Sequence, residues 1–157
     1  MLFCSFDSQR IVRKEFVPPG QTVNQAFYWE VIESLNKRVP HVRPGIARTW
    51  MLHHDNAPCH TAVSINEFLK EKGILVVPQL PYSPDLSPCD FLLLPRLKNH
   101  IKGRHFGTLV NIQKSVTHEL KGISAEAFQN CYEKWKQRLR RCVAAQGNYF
   151  EGDNLDF

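Results

Sequence analysis

The chain has 157 residues, of which 43% are hydrophobic, so it can bury a core of its own and its length predicts one domain. It contains no apolar run of 18 residues and no signal peptide pattern, and its five cysteines form no CxxC pair, so a soluble intracellular protein with free thiols and no membrane partner is expected. A net charge of +5 favours an anionic partner but does not identify it as nucleic acid.

The first residues predict a β-hairpin followed by a helix. Two apolar runs, Leu2 to Phe6 and Ile11 to Val17, are separated by four polar residues. A capping box at Thr22 opens a helix that is predicted to run to Arg38. Residues 40–45 are rich in turn formers and predict neither helix nor strand.

The next segment predicts a βαβ unit. A strand at Thr49 to His54 is followed by an amphipathic helix that ends at Gly73, and Ile74 to Val77 forms a second apolar strand. Two strands joined in this way run parallel, and open α/β folds bind ligands at the carboxyl ends of such strands. Residues 1–80 are therefore expected to form a mixed sheet with two helices.

Residues 81–146 are predicted to form a stiff proline-rich loop and C-terminal helices. The first of these helices carries Asp90 in its first turn, and Pro95 is expected to kink or break it. Thr108 and Ser124 open two further helices. A polar tail, 147–157, completes the single predicted domain, 1–157.

Two carboxylates are candidates for a metal site. Asp55 lies at the end of the predicted strand, Asp90 lies in a helical first turn, and residues 56 to 89, 34 in all, separate them. Two-metal sites hold ions such as Mg²⁺ roughly 3.5 to 4 Å apart with carboxylates from separate elements. On spacing alone, an Asx-turn at Asp55 and a helix-dipole role for Asp90 remain alternatives.

Other side chains permit different chemistry. A zinc site is one alternative, although its spacing fits no standard finger, and His53 and His54 point to opposite faces of a strand. A nucleophilic Cys59/His60 pair is a weaker one. The candidate zinc ligands are His53, His54, Cys59, His60 and Cys89. A separate basic set could contact a phosphate backbone or be only a solvated face; its members are Lys98, Lys102, Arg104, Arg138 and Arg141.

Two long motifs resemble those of a known family. Residues 52–62 have the sequence Leu-His-His-Asp-Asn-Ala-Pro-Cys-His-Thr-Ala, and residues 81–91 have the sequence Pro-Tyr-Ser-Pro-Asp-Leu-Ser-Pro-Cys-Asp-Phe. With their 34-residue aspartate spacing, they closely resemble the catalytic domain of mariner-family transposases. Three further stretches, 16–24, 102–106 and 135–144, agree with the same family.

The resemblance implies an α/β, RNase H-like fold of the retroviral-integrase-like, three-layer type with a helical C-terminal section. In that family an aspartate triad binds two Mg²⁺ or Mn²⁺ ions that activate water and then a DNA 3′-hydroxyl for cleavage and strand transfer. Asp55 matches the second aspartate and Asp90 the third, so both are implied to be catalytic metal ligands. Transposon ends and target DNA are the implied partners, a homodimer the implied assembly, and the nucleus the implied location.

The first aspartate of the family has no counterpart in these residues, because Asp7 matches a hairpin-turn residue instead. The first central strand is therefore expected to be missing, with a gap or a re-paired centre between the hairpin and the Asp55 strand. Two carboxylates are expected to bind the metal pair poorly, so the chain is expected to be inactive alone, without the family's helix-turn-helix modules. The alternative is a non-catalytic DNA-binding or dimerisation module derived from a transposase.

Overall fold

The structure is a computed structural model that describes residues 1–145. These residues form two compact units, one of residues 1–6 and 12–81 and the other of residues 7–11 and those from 82 onward. The boundary after residue 81 lies next to the predicted change from sheet to proline-rich loop, while the single-domain assignment stays a prediction. The predicted tail, 147–157, lies outside the described residues.

The predicted N-terminal hairpin is confirmed. Strands β1 (Leu2–Phe6) and β2 (Ile11–Phe16) pair with each other. Its turn is fixed locally, because the carboxylate of Asp7 accepts hydrogen bonds from the amides of Gln9 and Arg10 at 2.9 and 3.0 Å.

Helix α1 (Gln25–Val42) starts later than predicted. The cap expected at Thr22 is wrong, because Asn24 caps the helix and its side chain accepts the amide of Phe27 at 3.0 Å. Asparagine is among the strongest N-cap residues, and Asn24, two residues after Thr22, makes the capping hydrogen bond instead.

The turn predicted at residues 40–45 is also partly wrong. Helix α1 continues through Pro40 to Val42, and the amide of Arg43 still donates to the carbonyl of Val39 at 2.7 Å. A proline in the last turn removes one helical hydrogen bond and does not prevent the turn from closing. A 3₁₀ turn, Pro44–Ile46, follows directly.

The predicted βαβ unit is confirmed. Strands β3 (Met51–His53) and β4 (Leu75–Val77) pair in parallel over three residues each. Between them lie α2 (Pro58–Thr61) and α3 (Val63–Glu71). Residues 1–80 therefore hold three α-helices where two were predicted, and the additional one is the short helix α2. Gly73, at φ +70°, provides the left-handed residue that ends the connection.

The strands of the described residues form two separate two-stranded sheets, β1 with β2 and β3 with β4. The gap predicted between the hairpin and the strand before Asp55 is therefore confirmed, and one mixed sheet does not form. The core of this unit joins one stripe of α1 to β3, α3 and Ile74. Its buried residues are Tyr28, Val31, Ile32, Leu35, Val39, Leu52, Ile65, Phe68, Leu69 and Ile74.

One face of the parallel pair is apolar and exposed. Met51 and Leu75 are register partners, and they are 60% and 68% exposed. The strand before Asp55 is therefore buried only on the face that carries Leu52. An apolar run indicates that both faces of a strand can be buried, but it does not show that other elements pack on both faces.

The second unit is helical. A 3₁₀ turn (Pro84–Leu86) and a π-helical turn (Cys89–Leu93) lead into α4 (Leu94–Ile101). Helices α5 (Leu109–Lys121) and α6 (Ala125–Ala144) follow, with the predicted caps at residues 108 and 124. No described helix has the length and apolar character required to cross a membrane.

The π-helical turn replaces the kink or break predicted at Pro95. The amide of Leu94 donates to the carbonyl of Cys89, five residues earlier. A helical proline lacks an N–H and its ring crowds the carbonyl four residues earlier, here that of Phe91. The wider turn accommodates that ring, so the helix changes type before Pro95 and then continues to Ile101.

Helices α4 and α5 are joined by polar contacts. The carboxylate of Glu119 lies 3.0 Å from Arg96 Nε and 3.3 Å from His100 Nδ1, and the other ring nitrogen of His100 lies 2.7 Å from Ser115 Oγ. The apolar residues buried in this unit are Leu86, Leu93, Val116, Leu120, Ile123, Phe128 and Cys131.

Candidate active site

The segment after β3 is tied to β4 by two side-chain hydrogen bonds. Nδ1 of His53 lies 2.9 Å from the carbonyl of Val77, and the side-chain amide of Asn56 donates to the carbonyl of Gln79 at 2.7 Å. The backbone on both sides of Asp55 is therefore held against the neighbouring strand. A rigid element of this kind can present a carboxylate in one direction.

Asp55 forms the Asx-turn that the sequence left as an alternative. Its Oδ1 accepts the amide of Ala57 at 3.0 Å and lies 2.5 Å from Nδ1 of His60. Its side chain is 64% exposed, whereas that of His60 is 13% exposed. The carboxylate is thus held on its inner oxygen and is open to solvent elsewhere.

Behind Asp55 lies a cluster of three aromatic rings that the sequence did not reveal. The His60 ring stacks on Tyr28 with centroids 3.9 Å apart and on His54 with centroids 5.5 Å apart. The Tyr28 hydroxyl is 2.6 Å from Nδ1 of His54. Tyr28 belongs to the buried stripe of α1. A buried phenol needs a hydrogen-bond partner, and this requirement is the signal by which the cluster could have been predicted.

Burial shifts the pKa values of Tyr28 and His54 toward their neutral forms. It raises the pKa of Tyr28 well above its usual range, and the nearby charge of Asp55 raises it further. Burial and then His60 lower the pKa of His54 to about 4, while Asp55 opposes that shift. His54 is therefore a neutral hydrogen-bonding partner at neutral pH.

The alternative chemistries gain no support here. Burial raises the pKa of the Cys59 thiol, which disfavours the thiolate that a nucleophile would need. His53 and His54 engage different partners, as expected of adjacent strand residues. Among residues 1–145, no group of three or more His, Cys, Asp or Glu side chains is arranged to hold a metal ion.

Asp90 lies in the π-helical turn of the second unit. Its amide donates to the carbonyl of Ser87 at 2.9 Å, and its side chain is exposed. Within residues 1–145 no hydrogen bond or ion pair engages this carboxylate. Both of its oxygens are therefore available to a ligand.

Helix α6 holds the loop that precedes Asp90. The indole N–H of Trp135 donates to the carbonyl of Leu86 at 2.9 Å, and Nη1 of Arg138 donates to the carbonyl of Asp85 at 3.0 Å. The Arg138 guanidinium also lies over the Phe91 ring, 4.3 Å from its centroid. These contacts fix the 3₁₀ turn and the start of the π-helical turn to one rigid helix.

The predicted basic residues differ in their surroundings. Lys98, Lys102, Arg104 and Arg141 are exposed, whereas Arg138 is half-buried and engaged as just described. DNA contact by these five residues stays a prediction.

The donor chemistry of the two aspartates fits a hard divalent cation. Each presents exposed carboxylate oxygen from a turn fixed by backbone hydrogen bonds, and oxygen is the donor that Mg²⁺ and Mn²⁺ prefer. Asp55 belongs to the first compact unit and Asp90 to the second. Their joint coordination of one metal pair stays a prediction.

Comparison with known proteins identifies the relatives of the chain. No family model matches it. The Mariner Mos1 transposase of Drosophila mauritiana is 29% identical over 154 residues, and the match covers 96% of this chain and 45% of that protein. The chain thus spans less than half the length of this curated relative.

Solved structures extend the likeness to the fold. A structure of the Mos1 transposase catalytic domain with raltegravir and Mg matches with a TM-score of 0.86 at 29% identity, over 96% of this chain and 76% of that one. The Mos1 mariner paired-end complex with Mn matches with a TM-score of 0.87 at 30% identity, over 96% of this chain and 44% of that one. The expected RNase H-like fold is confirmed by these matches. The chain is therefore similar, in sequence and in fold, to the catalytic domain of the Mariner Mos1 transposase.

Proposed function

We propose that this chain provides two ligands, Asp55 and Asp90, of a mariner-type metal site that acts on the phosphodiester bonds of DNA. The proposal is supported by two observations: each aspartate is exposed on a turn that is fixed within its own unit, and the fold matches that of the Mos1 catalytic domain solved with Mg. When bound, Mg²⁺ or Mn²⁺ would activate the attacking hydroxyl and neutralise charge on the phosphate.

The chain's own residues would bind and orient. Asp55 offers the oxygen that Ala57 and His60 do not engage, and Asp90 offers both of its oxygens. The side-chain hydrogen bond of Asn56 and the indole hydrogen bond of Trp135 keep the two carboxylate-bearing turns from changing shape. Fixed ligands lose little conformational freedom when a cation binds.

We infer further that the 157-residue chain does not cleave DNA by itself. The first aspartate of the family triad has no counterpart among these 157 residues. Two carboxylates leave a pair of divalent ions with much of its charge uncompensated, so affinity for the second ion is low.

DNA is the proposed partner. The net charge of +5 and the exposed cations Lys98, Lys102 and Arg104 favour contact with a phosphate backbone. The Mos1 transposase has been solved in a paired-end complex with its left transposon end, which supports transposon-end DNA as the partner. A homodimer is part of the same proposal. A nuclear location follows as a part of the same proposal.

A Mn²⁺ titration tests the metal site, with free Mn²⁺ followed by electron paramagnetic resonance. We expect weak, saturable binding that is lost in Asp55→Asn and in Asp90→Asn. Asp7→Asn is the control for Asp55, because Asp7 also accepts backbone amides in a turn. Asp85→Asn is the control for Asp90 and lies in the same loop. Binding that survives both active-site variants contradicts the proposed ligands.

A plasmid assay tests the inactivity. Supercoiled DNA incubated with the protein and Mn²⁺ is expected to stay intact. Chelator-reversible nicking that disappears in Asp55→Asn would refute the inactivity while supporting the metal site.

The second candidate function, a non-catalytic DNA-binding or dimerisation module, is favoured by the exposed cations at the end of α4. Salt-sensitive binding to duplex DNA, unchanged by Asp55→Asn and independent of Mn²⁺, would support it. Fluorescence anisotropy at two salt concentrations makes this distinction.

A further inference from the structure

A partly buried histidine, His60, lies directly behind the exposed carboxylate of Asp55. Nδ1 of His60 is buried and makes no hydrogen bond of regular geometry among the described residues, and its close polar contact is with Oδ1 of Asp55, 2.5 Å away. The amide of Ala57 donates to the same oxygen at 3.0 Å. Two contacts therefore converge on Oδ1 and leave Oδ2 for an external ligand.

The two partners of this contact differ in burial, since the His60 side chain is 13% exposed and the Asp55 side chain is 64% exposed. A carboxylate at such a surface would otherwise sample several rotamers. Contact with a fixed group restricts it to one, so His60 acts as the immobile member of the pair.

Ring packing and a short helix hold His60 in place. Its ring stacks on Tyr28 at 24° and lies nearly parallel to His54, at 12°. His54 is itself held by the Tyr28 hydroxyl at 2.6 Å. The backbone of His60 belongs to α2, where its amide donates to the carbonyl of Ala57 at 2.8 Å.

We propose that His60 is a positioning residue that fixes Asp55 Oδ1 and so directs Oδ2 toward a divalent cation, a role that rests on the proposed function. The contact needs a proton on Nδ1, which both the Nδ1–H tautomer and the imidazolium provide. If His60 only packed against Tyr28, its ring would not need to place Nδ1 next to Oδ1 of Asp55.

Two variants separate the donor from the ring. In His60→Asn the side-chain nitrogen occupies the place of Nδ1, whereas in His60→Gln it occupies that of Nε2. Both remove the ring and its stacking on Tyr28, so each is the matched control of the other. Urea unfolding of the two variants is expected to give equal midpoints.

The metal-free test measures hydrogen exchange of the Ala57 amide by NMR, since this amide reports the place of Oδ1. Exchange is expected to stay near the wild-type rate in His60→Asn and to rise in His60→Gln. In the wild type, nitrogen shifts of the His60 ring are expected to show a proton on Nδ1. A tautomer with the proton only on Nε2 would overturn the proposal without any variant having to fold.

The metal test repeats the Mn²⁺ titration. Loss of an outer-shell partner weakens metal binding by about 10- to 100-fold, and this loss is expected for His60→Gln while His60→Asn stays close to the wild type. Equal behaviour of the two variants in both tests would reduce His60 to a packing role. If the wild type binds no Mn²⁺ while the amide test separates the variants, the proposed metal site fails and the positioning of Asp55 stands.

Discussion

The contact between α6 and the loop before Asp90 offers a direct test of what holds that loop in place. Trp135→Phe removes the indole N–H that lies 2.9 Å from the carbonyl of Leu86 and keeps most of the aromatic surface. Leu86 is only 4% exposed, so its carbonyl is poorly placed to find water instead. An unsatisfied, partly buried carbonyl costs about 1–3 kcal/mol, and we expect the free energy of unfolding to fall by that amount.

Arg138→Met is the companion change. It removes the 3.0 Å hydrogen bond to the Asp85 carbonyl and the cation above the Phe91 ring, which together are worth about 1–2 kcal/mol. Since Trp135 and Arg138 hold the same turn, the double variant should lose less than the sum of the single losses, by about 0.5–1 kcal/mol. Arg140→Met removes the same charge from an exposed place on the same helix and should change little.

Urea unfolding followed by far-ultraviolet circular dichroism measures these changes, because the helical signal does not depend on the substituted indole. A loss below about 0.3 kcal/mol for Trp135→Phe would refute the claim that this bond holds the loop. Strict additivity of the two changes would show that they act on independent parts of the unit.

Two further predictions concern single side chains. Burial raises the pKa of Cys131 to about 11. At pH 8 its alkylation by iodoacetamide should therefore be about a hundredfold slower than that of an ordinary thiol. Mass spectrometry measures the two rates, with the exposed Cys89 as the internal comparison. The contribution of the neutral Cys131 thiol to stability should be present below pH 9 and lost as the pH rises toward 11, and a flat profile there would contradict it. Tyr82 is 98% exposed and its backbone is left-handed, at φ +53°. Asparagine tolerates this conformation better than tyrosine, so Tyr82→Asn should raise the free energy of unfolding by about 0.5–1 kcal/mol. An unchanged urea midpoint would show that this backbone is unstrained.

Elements with strong local signals were predictable from the sequence. The hydroxyls of Thr108 and Ser124 accept the amides of Asn111 and Ala127 at 3.2 and 3.1 Å, as capping residues do. The start of α1 was mispredicted, because Thr22 satisfies the same local rule as Asn24, which makes the capping hydrogen bond.

The site was predictable to the extent that it depends on neighbouring residues. The Asx-turn of Asp55 involves residues two apart, and the sequence offered it as an alternative. The bond between Tyr28 and His54 joins residues 26 apart, and no local pattern reports which buried phenol meets which imidazole. Trp135 and Leu86 are 49 residues apart, so their bond was equally invisible.

The direction in which Asp90 points depends on the number of residues in the π-helical turn. A turn closed by a bond across five residues contains one residue more than an α-helical turn. Deleting one residue between Phe91 and Leu93 would restore α-helical spacing and rotate Asp90 by about 100° relative to α4. Substitutions within the turn would have little effect on the direction of Asp90, whereas a change in the number of its residues would alter that direction. This segment should therefore accept substitutions far more readily than insertions or deletions.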